Sequence, residues 1–185
     1  MLLINTGNGK GKTTAAAGLA LRAWGHGKRV LFIMFLKGSG ISGEYKAIEK
    51  IGSPDLQVLS FGRKCPYPGQ DCCPGQRECI VTADSLTDAD YMTAHKGLEK
   101  SALELNSGNW DLIILDEIIN LYQVFPEYQE EIVELIDTCP ESVDLVLTGR
   151  ECPQQLGLRS DLLTEMIMRK HPFEKKIIAK RGIDY

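Results

Sequence analysis

The sequence lacks an excess of basic residues. Lys plus Arg number 21 against 25 Asp plus Glu over 185 residues, a formal net charge of −4. A phosphate-tracking coat is therefore excluded, and nucleic acid is not an expected partner. Long apolar runs are also missing. The longest clean one, Val30 to Leu36, is far too short to span a bilayer. Met1-Leu2-Leu3-Ile4 is followed at once by Asn5 and a glycine loop, which is no secretory leader, so the expected location is the cytosol. Internal repeats and linkers are absent. Six cysteines are present, but no C-x-x-C pair, the usual signature of a cysteine-held metal.

What is present is ordinary globular material, 43% hydrophobic and 25% charged. The length suits a single domain over residues 1–185. Strand and helix patterns alternate. Strands are predicted at Met1–Asn5, Arg29–Leu36, Leu56–Ser60, Leu112–Leu115, Val143–Leu147 and Leu162–Met168. Helices are predicted at Thr13–Trp24, Glu44–Lys50, Asp88–Asn106, from Pro126 onward, and at Pro153–Leu158. The long helix has Thr87 as its N-cap. Such alternation predicts an α/β fold, a three-layer architecture around a mostly parallel sheet.

The strongest motif is Thr6-Gly7-Asn8-Gly9-Lys10-Gly11-Lys12-Thr13, followed by Thr14, between the first strand and the first helix. Glycines let backbone N–H groups turn inward around phosphate oxygens, and the helix N-terminus adds a positive end. Lys12 supplies charge to the phosphates, and the Thr13 hydroxyl can ligate Mg²⁺. The bland alternative is a glycine-rich β–α turn that happens to carry Gly-Lys-Thr; the strand and helix around it favour phosphate. The spacing is unusual, because Thr6 stands where a standard loop has its first glycine. A second element is Asp116-Glu117 at the end of a buried apolar strand, where a carboxylate can hold a metal directly or through water. A third is Arg150, in Leu147-Thr148-Gly149-Arg150, which opens on the same sheet edge and can fork onto phosphate oxygens. His26, His95 and His171 lack metal-ligand spacing, and a plain polar role is expected of each.

These segments together resemble the P-loop type of ATP:corrinoid adenosyltransferase. The resemblance runs through Thr6 to Thr14, Arg22-Ala-Trp-Gly-His-Gly27, Phe35-Leu-Lys-Gly38, Leu115-Asp-Glu-Ile118 and Leu147-Thr-Gly-Arg150. It continues through Thr164-Glu-Met166 and Lys170-His-Pro-Phe173 to Arg181-Gly-Ile-Asp-Tyr185. The shortened loop belongs to that pattern. The resemblance implies a P-loop NTPase-like, RecA-like fold and attack by Co(I) of a reduced corrinoid on the 5′ carbon of ATP, with triphosphate leaving. It implies that Gly7, Asn8, Gly9, Lys10, Gly11, Lys12, Thr13, Thr14 and Arg150 bind the nucleotide. Lys12, Thr13 and Arg150 are then the catalytic candidates, and Thr13, Glu117 and Asp116 the ligands of Mg²⁺ or Mn²⁺. It further implies a homodimer, an electron donor protein such as a flavodoxin or ferredoxin, and apolar and aromatic residues that displace the corrinoid's lower ligand.

Two departures from the family pattern stand out. The sequence opens directly on its first strand, so cover for the corrinoid is expected from somewhere other than an N-terminal extension. The segment at about 61–80 carries Cys65, Cys72, Cys73 and Cys79, with Phe61 and Tyr67 as the remaining aromatic candidates for corrinoid contact. The four cysteines admit zinc or an iron–sulfur cluster, reduced thiols in a lid, or a disulfide. Cys139 and Cys152 read as isolated thiols. Two other classes of function compete. A P-loop ATPase or nucleotide switch would use Glu117 to activate water and leave ADP and phosphate. A cysteine-rich metal or redox module would not need Lys12.

Overall fold

Short apolar stretches bounded by glycine or polar turns form the sheet in the computed structural model. The strands are β1 (Leu2–Thr6), β2 (Val30–Phe35), β3 (Leu56–Phe61), β4 (Leu112–Asp116), β5 (Asp144–Thr148) and β6 (Leu162–Glu165). The structure describes residues 1–38, 42–64, 81–172, 177 and 180–183. Tyr67 and the cysteines at 65, 72, 73 and 79 therefore lie outside the described residues. The six strands form one sheet in the order β3-β2-β4-β5-β1-β6. Every neighbouring pair is parallel.

Among the described residues six α-helices accompany them: α1 (Lys12–Gly25), α2 (Gly43–Ile51), α3 (Asp88–Leu105), α4 (Ile118–Val124), α5 (Gln129–Asp137) and α6 (Gln154–Gly157). Strand side chains alternate between two faces, and the register carries that alternation across the sheet. Leu31, Ile113, Leu145 and Leu2 are paired in sequence across β2, β4, β5 and β1. All four pack with α3, α4 and α5 in one apolar cluster. One residue on, Phe32, Ile114 and Val146 are paired the same way. They face Ala16 and Ala20 of α1 and Ile48 of α2 in a second cluster. The central strands β2, β4 and β5 are covered on both faces, as a parallel sheet requires, whereas the edge strand β6 is exposed along its length. None of the described helices is long and apolar enough to cross a membrane.

Three elements differ from expectation. Helix α4 is additional: Ile118, Ile119, Leu121 and Tyr122 are buried, and Asn120 and Gln123 alone are too few polar positions to mark a helical period in sequence. Pro126 opens a short 3₁₀ turn, Pro126–Tyr128, that runs into α5. β6 stops at Glu165, three residues early, because the chain then turns over the glycine loop.

The register also aligns the strand ends. Met34 of β2 pairs with Asp116 of β4, and Asn5 of β1 pairs with Thr148 of β5. The exits of β1, β2, β4 and β5 thus share one edge, the usual place for a ligand in an open α/β sheet.

Candidate active site

β1 leads straight into the glycine loop. Gly7 and Gly11 take φ values of +100° and +107°, which a side chain would oppose. Lys12 folds back over the loop, and its Nζ donates to the carbonyls of Gly7 and Gly9, both at 2.7 Å. Burial lowers the Lys12 pKa from its ordinary value, and the nearby positive charge of Arg150 lowers it further. Thr6, where a standard loop has glycine, is still strand. Its hydroxyl accepts the Cys152 N–H at 3.0 Å and its carbonyl the Met166 N–H at 2.8 Å. No left-handed turn is needed there, so no glycine is.

The chain after β6 crosses this loop. Gly9 N–H donates to Met166 O at 2.7 Å, and Met168 N–H donates to Asn8 Oδ1 at 3.0 Å. A Cβ on Gly9 would lie 2.7 Å from that same carbonyl. Asn8 Oδ1 is therefore engaged with Met168, a contact that holds the loop.

Behind the loop lies a charged cluster assembled from four segments. Thr13 Oγ1 donates to Asp116 Oδ1 at 2.9 Å, and Thr148 Oγ1 donates to the same oxygen at 2.6 Å. The Asp116 side chain is fully buried. Lys37 Nζ lies 2.8 Å from Asp116 Oδ2, 3.1 Å from Glu117 Oε1 and 3.1 Å from Thr13 Oγ1. Burial opposes the Lys37 charge, but Asp116 and Glu117 outweigh it and raise its pKa above the ordinary lysine value. Glu117 sits at φ +65°, ahead of α4. Its N–H donates to Thr148 Oγ1 at 2.9 Å, and its Oε2 accepts from Asn120 Nδ2 at 2.6 Å. β5 lies between β1 and β4, and Thr148 is the bridge it contributes.

Lys12, Thr13, Asp116 and Glu117 are therefore brought together at one edge. Arg150 is exposed and anchored by its backbone, whose N–H donates to Asn120 Oδ1 at 2.6 Å. Lys10 and Asn8 are exposed on the loop, while Thr14 faces Glu44 of α2 at 3.4 Å. Phe61 packs inward, 6.3 Å from the Phe35 ring and against Gly97 of α3. His95 stacks on Tyr128 at 6.0 Å and lies 3.5 Å from Glu99, a surface arrangement. Lys37, Thr148 and Asn120 were not expected at the site. Their one signal in sequence is position: Lys37 and Thr148 stand at the ends of apolar strands that open on the same edge. Thr13, Asp116 and Glu117 form an oxygen-only donor set around a positive charge, the chemistry of a hard divalent cation.

A covered parallel sheet, a glycine loop between β1 and α1 and a buried acid at the end of β4 define a P-loop nucleotide-binding protein. The solved KaiC-like protein of Pyrococcus horikoshii OT3 has this fold. It is 14% identical, with a TM-score of 0.54 over 92% of this chain and 73% of that one. The family model for ATP:corrinoid adenosyltransferase BtuR/CobO/CobP matches residues 1–185. The corrinoid adenosyltransferase of Escherichia coli K12 is 31% identical over 188 residues, spanning all of this chain and 85% of the relative. The corrinoid adenosyltransferase CobA of Salmonella typhimurium LT2 is 30% identical over 187 residues, with the same coverage. The chain belongs to the ATP:corrinoid adenosyltransferase family, whose known activity is ATP-dependent adenosylation of corrinoids.

Proposed function

We propose that this site transfers the 5′-deoxyadenosyl group of ATP to the Co(I) centre of a reduced corrinoid. The family match along the whole chain carries this reading, and the loop and its cation cluster support it. The electron pair of Co(I) forms the cobalt–carbon bond at C5′. The C5′–O bond breaks, and its electrons leave with inorganic triphosphate. Because the corrinoid brings the nucleophile, the protein's work is positioning and charge management.

Gly7 to Thr13 wrap the triphosphate with backbone N–H groups. Lys12 exchanges its loop carbonyls for phosphate oxygens, and Lys10 and Arg150 add positive charge as the leaving group departs. Thr13 and Glu117 hold a Mg²⁺ or Mn²⁺ ion that, when bound, neutralises part of the triphosphate charge. Asp116 fixes the Thr13 hydroxyl from behind. Asn8 sets the loop's shape through Met168 and so the nucleotide's placement. An electron donor protein, such as a flavodoxin or ferredoxin, reduces Co(II) beforehand. The working unit is a homodimer in the cytoplasm, and Phe61 and Tyr67 border the corrinoid. The four cysteines at 65–79 hold zinc or a cluster, stay as thiols or form a disulfide; metal analysis of anaerobically purified protein, together with thiol titration before and after reduction, distinguishes these states.

The deciding assay is anaerobic, with ATP, Mg²⁺ and Co(I) corrinoid, followed by absorbance for the cobalt–carbon bond and by phosphate chromatography. Adenosylcorrinoid and triphosphate in equal amounts are expected. ADP and phosphate without a spectral change would identify an ATPase instead.

A further inference from the structure

Three oxygens converge on the Lys37 ammonium: Thr13 Oγ1, Asp116 Oδ2 and Glu117 Oε1, at 2.8 to 3.1 Å. An ammonium has three N–H donors, so its hydrogen bonding is complete in this place. The other carboxylate oxygens are committed elsewhere. Asp116 Oδ1 accepts from Thr13 and Thr148, and Glu117 Oε2 accepts from Asn120. The oxygens that face Lys37 are thus the same ones a divalent ion would need. Mg²⁺ binds oxygen at about 2.0–2.1 Å in a demanding geometry. An ammonium and a divalent ion cannot share that space, by size or by charge.

Resting on the nucleotide and metal site proposed above, we infer that Lys37 is a resident counter-cation that closes the metal cradle until nucleotide arrives. A divalent ion arriving alone would have to strip Lys37 of all three acceptors and offer it nothing in return. An ion arriving on ATP brings phosphate oxygens for the displaced ammonium. The side chain can make that move. It is 28% exposed, on a flexible four-carbon stem at the β2 exit, directly after Leu36 with its φ of +59°. Its backbone stays fixed, because the Lys37 carbonyl accepts from Ser60 Oγ. Lys37 thereby couples metal binding to nucleotide binding, as a positioning residue for Thr13, Asp116 and Glu117.

The test is Mn²⁺ binding, read from the loss of the free-ion EPR signal, for wild type and Lys37→Met, each with and without ATP and without corrinoid. Wild type should take up Mn²⁺ only with ATP. Lys37→Met should bind free Mn²⁺ at least tenfold more tightly than wild type, a gain that mere structural damage would not produce. Lys37→Gln, neutral but still a hydrogen-bond donor, serves if the methionine variant does not fold. Wild type binding free Mn²⁺ as tightly as Mn²⁺ with ATP would overturn the coupling without any variant. If wild type and variant both bind Mn²⁺ with ATP but neither binds it alone, the role of Lys37 fails and the nucleotide site stands. If neither binds Mn²⁺ even with ATP, the metal site itself is wrong and Lys37 has nothing to gate.

Discussion

Thr148 joins three parts of the site through one hydroxyl. It is 1% exposed, donates to Asp116 and accepts the N–H of Glu117, which stands in a left-handed conformation that a glutamate adopts only at a cost. Thr148→Val keeps the shape and removes the hydroxyl. It leaves the part-buried Glu117 N–H without its acceptor and the buried Asp116 without one of its donors. An unsatisfied buried group costs about 1–3 kcal/mol. The variant is therefore expected to lose about 2 kcal/mol in urea unfolding, and its ATP-dependent activity should fall as Glu117 loses its fixed position. Stability within 0.5 kcal/mol of wild type, a scatter typical of neutral surface changes, would mean that Glu117 is held by Asn120 and Lys37 instead. Lys37 is a different kind of residue. Its Nζ depends on where the β2 exit falls relative to Asp116, a matter of register between strands about eighty residues apart in sequence. Within Phe35-Leu36-Lys37-Gly38 the one local sign of it is its position at the end of an apolar strand.

The exit of β3 is tied to the start of α3 by one forked ion pair. Arg63 Nε lies 2.8 Å from Asp90 Oδ1, and an Arg63 guanidinium nitrogen lies 2.6 Å from Oδ2. Asp90 also accepts the Thr87 N–H at 2.9 Å, so one carboxylate caps the helix and anchors the segment that enters residues 65–80. The Arg63 hydrogen bonds lower the Asp90 pKa from 3.8 to about 2; burial opposes them, and Thr87 adds to them. The folded pKa lies below the unfolded one, so this stabilisation is whole above 3.8 and is lost as the pH falls towards 2. Asp90→Asn should be less stable at neutral pH. Its urea midpoint should also change less than that of wild type between pH 4.5 and pH 2, the extra slope belonging to Asp90. Parallel acid limbs would assign the acid sensitivity to other groups. The helix itself was legible in sequence, with Thr87 as its cap and Ala94, Leu98 and Leu105 on its buried stripe, although Ala102, expected on the same face, is exposed. So were the six strands, because apolar runs bounded by glycine leave few alternatives. Helix α4 was not, since seven residues with only Asn120 and Gln123 polar are too short a run to show a helical period. The crossing of Met166 over Gly7 and Gly9 was not legible either, because its partners lie at opposite ends of the sequence.

At the scale of the whole molecule, the net charge of −4 conceals an uneven distribution. Lys10, Lys12, Lys37 and Arg150 all belong to the edge where β1, β2 and β5 end. Asp116 and Glu117 neutralise Lys37, whereas Lys12 is held by backbone carbonyls and sits within reach of the Arg150 charge. On the function proposed above that edge accepts a polyanion, and binding one should stabilise the entire fold, because α1 and strands β1, β2, β4 and β5 all contribute to it. A ligand at one hundred times its dissociation constant adds about 2.7 kcal/mol to unfolding. For a chain of this length each kcal/mol moves Tm by about 2–4 °C. Saturating Mg·ATP is accordingly expected to raise Tm by about 5–10 °C in differential scanning fluorimetry. Lys12→Met separates the fold from the site. It forfeits two hydrogen bonds to the loop, so its own Tm should fall by only a few degrees. The Mg·ATP shift should nearly vanish, because the charge that meets the triphosphate is gone. A variant that keeps the full shift would show that the loop's backbone alone holds the nucleotide, and would move the catalytic burden of charge from Lys12 to Lys10 and Arg150.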